Sequence, residues 1–97
     1  MKLNKQKIIR LINQNIEELK QRYPIKSIAL YGSYARGEQD SSSDIDLLVD
    51  FTQPIGMEII DLTLDMEKIL NSKVDIVTYN AIKNRLFKYI KDELVYA

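Results

Sequence analysis

The 97-residue sequence contains no cysteine and no histidine. Without cysteine the chain can form neither a disulfide nor a thiolate zinc site. Without histidine, a general base must be a carboxylate of this chain or must come from another molecule. The side chains left for acid–base and metal chemistry are therefore mainly carboxylates.

The sequence also has no formal net charge, because fourteen Lys and Arg residues balance fourteen Asp and Glu residues. This argues against stable direct binding of nucleic acid, which would need an excess of basic side chains, but it still allows a nucleotide to bind locally. No apolar run approaches the roughly 20 residues that span a bilayer, and the N-terminal residues lack the apolar core of a signal peptide. We expect a cytoplasmic protein without a membrane segment, folded as a single domain over residues 1–97.

Apolar periodicity predicts the secondary structure. Helical spacing of apolar side chains predicts three helices, over residues 5–23, 57–70 and 80–96. Short apolar runs predict three strands, over residues 25–31, 44–51 and 73–79, with a single helical turn over residues 34–38 between the first two. This order predicts an α/β fold with a small mixed sheet and helices against one of its faces.

Two acids open the second predicted strand. Because successive side chains of a strand point to opposite faces, Asp44 and Asp46 share a face. Their Cα atoms should lie about 6.5 Å apart. Two carboxylates at this spacing repel each other unless a counter-charge is present, and Mg²⁺, which prefers oxygen ligands, can supply that charge.

A Gly-Ser turn follows the first predicted strand. Gly32 has no Cβ, so a phosphate can approach its backbone closely. Ser33 is predicted as the N-cap of the short helix, whose N–H groups would face an anion. Arg36 either contacts a triphosphate oxygen or forms a salt bridge with Glu38 or Asp40, and the sequence leaves both options open.

A third acid, Asp75, lies inside the apolar segment Val-Asp-Ile-Val of the third predicted strand. Charged side chains are seldom buried unless they are paired or bind a metal. Asp75 is therefore a candidate site residue, with an exposed charge on an edge strand as the alternative.

The pattern Gly32-Ser33, ten residues, Asp44-x-Asp46 resembles the signature of the DNA polymerase beta-type nucleotidyltransferases. The longer segments 32–37 and 43–49 resemble those of the minimal nucleotidyltransferase (MNT) antitoxins, which are encoded beside HEPN toxins. The resemblance implies the DNA polymerase beta-like nucleotidyltransferase fold. It also implies that Asp44, Asp46 and Asp75 are the catalytic, metal-ligating acids, and that Gly32 and Ser33, with Arg36 beside them, bind the nucleotide.

The same resemblance implies an enzyme that requires Mg²⁺ and uses ATP. It would transfer AMP to a tyrosine hydroxyl of a HEPN ribonuclease toxin and so neutralise it, as the antitoxin of a type VII-like pair that forms a hetero-oligomer with the toxin. Two alternatives stay open. In one, the chain is a non-catalytic module that masks its HEPN partner. In the other, it is a nucleotidyltransferase that acts on a small-molecule hydroxyl.

Overall fold

A four-stranded mixed sheet organises residues 2–97, the part of the chain that the computed structural model describes. In chain order the elements are α1 Lys5–Arg22, β1 Ile25–Tyr31, α2 Ser33–Arg36, β2 Ile45–Phe51, α3 Glu58–Leu70, β3 Val74–Thr78, α4 Tyr79–Ile82, α5 Phe87–Ile90, a 3-10 turn Lys91–Glu93, and β4 Val95–Tyr96. No helix of this described part is both long enough and apolar enough to cross a bilayer.

The strands lie in the order β3-β2-β1-β4. Strand β1 runs antiparallel to both β2 and β4, whereas β2 and β3 are parallel. Asp46 is the register partner of Tyr31 on one side and of Asp75 on the other. The mixed sheet that the sequence predicts is therefore present, with β2 near its centre.

One face of the sheet carries the main hydrophobic core, because α1 and α3 pack against it. Every second residue of the strands points into this core, as the alternating pattern predicts. The fully or almost fully buried side chains that form it include Ile28, Leu30, Ile45, Leu47, Val49 and Val74 from the sheet, with Ile8, Ile12, Leu19, Leu62, Met66 and Leu70 from the two helices.

The other face has a smaller apolar cluster at one end. Ala29, Leu48 and Ile82 are its buried members, and partly buried apolar side chains of the C-terminal segment pack beside them, including Phe87, Ile90 and Leu94. The two long helices thus share one face, as predicted. The short helices α4 and α5 contribute to the opposite one.

The prediction of a C-terminal helix over residues 80–96 is wrong. In its place are two single-turn helices, a 3-10 turn and strand β4. Val95 and Tyr96 pair with Leu30 and Ala29 of β1 and so cover an edge that would otherwise expose its backbone groups. Of the predicted apolar stripe, Leu86 and Tyr89 are exposed. Long-range pairing with β1 therefore overrides the helical periodicity of this segment.

Candidate active site

The three predicted acids lie on the face of the sheet opposite the main core. Asp46 and Asp75 are register partners on the parallel strands β2 and β3, and Asp44 directly precedes β2. The pKa of Asp46 is raised, mainly because the carboxyl is partly buried and further because the charges of Asp75 and Asp44 disfavour its ionisation. Arg36 acts in the opposite direction without cancelling these effects. The face therefore concentrates negative charge at Asp46.

No group of three Asp or Glu side chains within residues 2–97 stands at metal-binding distances. The three acids share a face without closing around a common point. Their chemistry nevertheless fits a divalent cation, because they offer only oxygen ligands. Asp75 and Asp44 also disfavour ionisation of the Asp46 carboxyl, and a bound cation would relieve this repulsion.

The Gly-Ser turn lies directly against Asp46. Gly32 has φ 79° and ψ −155°, a backbone conformation that is essentially restricted to glycine. A Cβ at this position would collide with Oδ2 of Asp46 and would lie 3.2 Å from its Cγ. Glycine is therefore required here both for the backbone conformation and for the close approach of the turn to the carboxylate.

The predicted capping role of Ser33 is wrong, because Ser33 is the first residue of α2 and Gly32 holds the cap position. No side chain caps this helix. The turn is held by its backbone, with the Arg36 N–H donating to the Gly32 carbonyl at 3.1 Å and the Glu38 N–H donating to the Ser33 carbonyl at 2.8 Å. Ser33 directly follows Gly32, whose backbone lies against Asp46.

Glu93, in the 3-10 turn before β4, is a site residue that sequence reasoning missed. The Gly32 N–H donates to its Oε2 at 2.5 Å. Nη1 of Arg36 contacts the same oxygen at 3.2 Å, while Nε of Arg36 donates to Glu38 Oε1 at 2.9 Å. Of the two salt bridges considered from the sequence, the one to Glu38 is present, whereas Asp40 instead accepts hydrogen bonds from Ser42.

Tyr31 was also missed as a residue of this face. Its pKa is raised to about 12, first because the phenol is partly buried and then because Asp46, Asp75 and Glu93 disfavour a further negative charge. The hydroxyl is therefore protonated at neutral pH, and Tyr31 lines the acidic face as a neutral side chain. The sequence signal was its position, two residues after buried Ala29 on the same face of β1.

The chain belongs to the nucleotidyltransferase domain family, whose model matches residues 12–97. This membership agrees with the mixed sheet, the Gly-Ser turn and the acids at the start of β2, and it confirms the predicted superfamily.

Two curated relatives match this chain over most of its length. A Methanocaldococcus jannaschii protein, provisionally named a protein adenylyltransferase, is 42% identical over 88 residues that cover 89% of this chain and 90% of the relative. The protein adenylyltransferase MntA of Thermococcus cleftensis is 34% identical over 95 residues, which cover 97% of this chain and 96% of MntA. The chain thus has nearly the full length of both relatives.

Three solved structures have a similar fold. A toxin–antitoxin MntA–HpeT mutant matches with TM-score 0.68 and 26% identity, over 97% of this chain and 72% of that chain. A toxin–antitoxin solved with AMP-PNP matches with TM-score 0.57 and 33% identity, over 80% of this chain and 59% of that one. A tri-AMPylated Shewanella oneidensis HEPN toxin in complex with an MNT antitoxin matches with TM-score 0.66 over 92% and 70% of the two chains; its 22% identity indicates a shared fold only.

Proposed function

We propose that residues 1–97 form a single minimal nucleotidyltransferase domain that acts as a cytoplasmic antitoxin. It transfers AMP from ATP to a tyrosine hydroxyl of a HEPN ribonuclease toxin, requires Mg²⁺, and forms a hetero-oligomer with that toxin. The observation that carries this proposal is the geometry around Asp46, which lies opposite Asp75 on the next strand and against the Gly32 turn.

Each site residue has a role in the proposed reaction. Asp44, Asp46 and Asp75 hold magnesium, which when bound offsets the charge of the triphosphate. The backbone at Gly32 and Ser33 binds the β- and γ-phosphates, and Arg36 contacts a phosphate oxygen. The acceptor oxygen attacks the α-phosphorus as the bond to the bridging α–β oxygen breaks, so pyrophosphate leaves. Asp75, the most exposed of the three acids, takes the hydroxyl proton.

The comparisons support this choice of donor and acceptor. The relatives that match over nearly their whole length carry adenylyltransferase names, which favours ATP over other nucleotides. The similar chain solved with AMP-PNP favours the same donor. The likeness to the MntA–HpeT pair favours a protein toxin as acceptor, and the HEPN assignment of that toxin follows the resemblance of the Gly-Ser and Asp-x-Asp segments.

Labelled ATP tests the reaction. The chain and its toxin partner are incubated with Mg²⁺ and ATP that carries the label at either the α- or the γ-phosphate. We expect the α-label to appear on the partner and the γ-label to leave as pyrophosphate. The double variant Asp44→Ala, Asp46→Ala should lose transfer. Asp50→Ala should keep it, because Asp50 lies at the far end of β2 and pairs with Lys26 at 4.0 Å.

Two results would overturn the proposal. Protection of the partner that survives the double variant, without any label transfer, would favour a module that masks the toxin. Transfer of the label to a small-molecule hydroxyl in the absence of a protein partner would favour the free nucleotidyltransferase.

A further inference from the structure

The proposed phosphate-binding groups already have an anionic partner inside the molecule. The Gly32 N–H and the Arg36 guanidinium, one a backbone donor and the other a cation, both contact the Glu93 carboxylate. Carboxylate and phosphate oxygens accept the same charge-assisted hydrogen bonds. Glu93 therefore occupies the position at which a phosphate oxygen would be bound.

We propose that Glu93 is an internal competitor for the triphosphate site, so that nucleotide binds only after the Glu93 carboxylate has moved off Gly32 and Arg36. This inference rests on the proposed function, because it assigns the Gly32 turn to the triphosphate. It adds a residue that sets nucleotide affinity, from a segment that holds none of the predicted site residues.

The fold holds the backbone at Glu93 in place through the segment that follows it. On the C-terminal side, Val95 and Tyr96 pair with β1, and Leu94 packs in the apolar cluster of the acidic face. The side chain itself is 20% exposed. Because β4 anchors the backbone, rotation of the Glu93 side chain is enough to free the donors, and the sheet need not open.

The Glu93 carboxylate also has an acidic neighbour. Its charge is close enough to Asp46 to disfavour ionisation of that carboxyl. The hydrogen bonds from Gly32 and Arg36 act against this repulsion. The apparent affinity for nucleotide is the intrinsic affinity multiplied by the fraction of molecules in which Glu93 has left the site.

The test measures the affinity of the full chain for ATP in the presence of Mg²⁺ by isothermal titration calorimetry. We expect Glu93→Ala to bind ATP about tenfold more tightly than wild type, as for a site that is open in roughly a tenth of the molecules. Glu93→Gln keeps the size of the side chain but loses its charge, and it should give an intermediate gain.

Asp92→Ala is the matched control. Asp92 is the exposed neighbour of Glu93 in the same turn, so its removal changes the net charge equally without freeing Gly32 or Arg36. Its affinity should stay near that of wild type. Circular dichroism of each variant checks that the fold is retained, and Glu93→Gln carries the test if Glu93→Ala does not fold.

The outcomes separate this inference from the proposed function. Wild type that binds ATP while both Glu93 variants bind equally or more weakly would overturn the competitor role and leave the proposed function standing. A gain shared equally by Asp92→Ala would also overturn it, because it would show a general effect of charge. If neither wild type nor any variant binds ATP, the proposed function fails and this inference fails with it.

Discussion

The two faces of the sheet differ in what their alternating side chains do. Strands β1, β2 and β3 send apolar side chains under α1 and α3 on one face and place Tyr31, Asp46 and Asp75 on the other, where Asp44 directly precedes β2. The first face is almost completely buried. The second keeps a small apolar cluster at one end and partly exposed acids at the other.

Within a single strand, residues that stabilise the core therefore alternate with residues of the proposed active site. Leu47 is fully buried in the main core, while its neighbours Asp46 and Leu48 point to the acidic face. Because the side-chain period of a strand is two, the charged site can be varied with little effect on the core one residue away. The predictions below test this separation, in order of decreasing expected effect.

The largest effect is expected for Asp75→Ala. Loss of a proposed metal ligand and proton acceptor should lower the rate of AMP transfer by about a thousandfold or more. Because Asp75 is exposed, the free energy of unfolding should change little. Asp61→Ala is the control, since it removes an exposed acid of α3 on the opposite side of the sheet. An equal loss of transfer in both variants would contradict the assignment of Asp75.

The next largest effect is expected for the free energy of unfolding when two adjacent leucines are replaced in turn. Leu47→Ala leaves a cavity in the main core and should lower the free energy of unfolding by about 3–4 kcal/mol. Leu48→Ala, in the smaller cluster that solvent borders, should lower it by about 2 kcal/mol because that site can relax more easily. Urea unfolding measures both. Equal losses would mean that the two faces contribute alike to stability.

A pair of glycines tests the contact between the turn and Asp46. Gly37 also has a positive φ, 72°, but no atom lies within 4 Å of a Cβ built there. Gly37→Ala should therefore cost about 1 kcal/mol of stability from backbone strain, and Gly32→Ala at least about 2 kcal/mol from strain and collision together. Urea unfolding again gives the values, and a loss at Gly37 as large as that at Gly32 would exclude the collision.

The smallest effect concerns pH. Because the folded state raises the pKa of Asp46 above its ordinary 3.8, it holds this proton more tightly than the unfolded chain does. Stability therefore falls as the pH rises from about that value through the raised pKa. Asp46→Asn should raise the free energy of unfolding at pH 7, and the gain should vanish in strong acid.

Asp50→Asn is the control for this pH effect. Asp50 is on the same strand and face, but it pairs with Lys26 and should give no gain. Unfolding measured across the acid range checks both variants. A stability gain for Asp46→Asn that persists below the ordinary carboxyl pKa would show that charge is not its cause.

The sequence predicted the elements whose signals are local. Strand β1 has the predicted bounds; α1, β2 and α3 differ from prediction by one residue at one end, and β3 by one residue at each end. The C-terminal segment was mispredicted because its structure depends on distant partners. Ile82 packs against β1 and β2, and Val95 pairs with Leu30, whereas a helical pattern describes only the segment itself.

The residues of the site also divide into those with local sequence signals and those placed by distant contacts. Gly32, Asp44 and Asp46 come from one contiguous stretch, so their spacing in the sequence predicts that they lie close together in space. Asp75 was proposed from its apolar neighbours in the sequence, and in the structure it is exposed on the edge strand β3, opposite Asp46. Glu93 was not found, because its bond to Gly32 spans 61 residues and follows from the unpredicted pairing of β4.

The most direct test of the central claim is the rate of α-labelled AMP transfer from ATP to the toxin partner by Asp46→Asn. Its unfolding is measured on the same preparation. The account predicts that transfer is lost while the protein is at least as stable as wild type. Transfer at the wild-type rate by this folded variant would contradict the claim that the acidic face of the sheet is the active site.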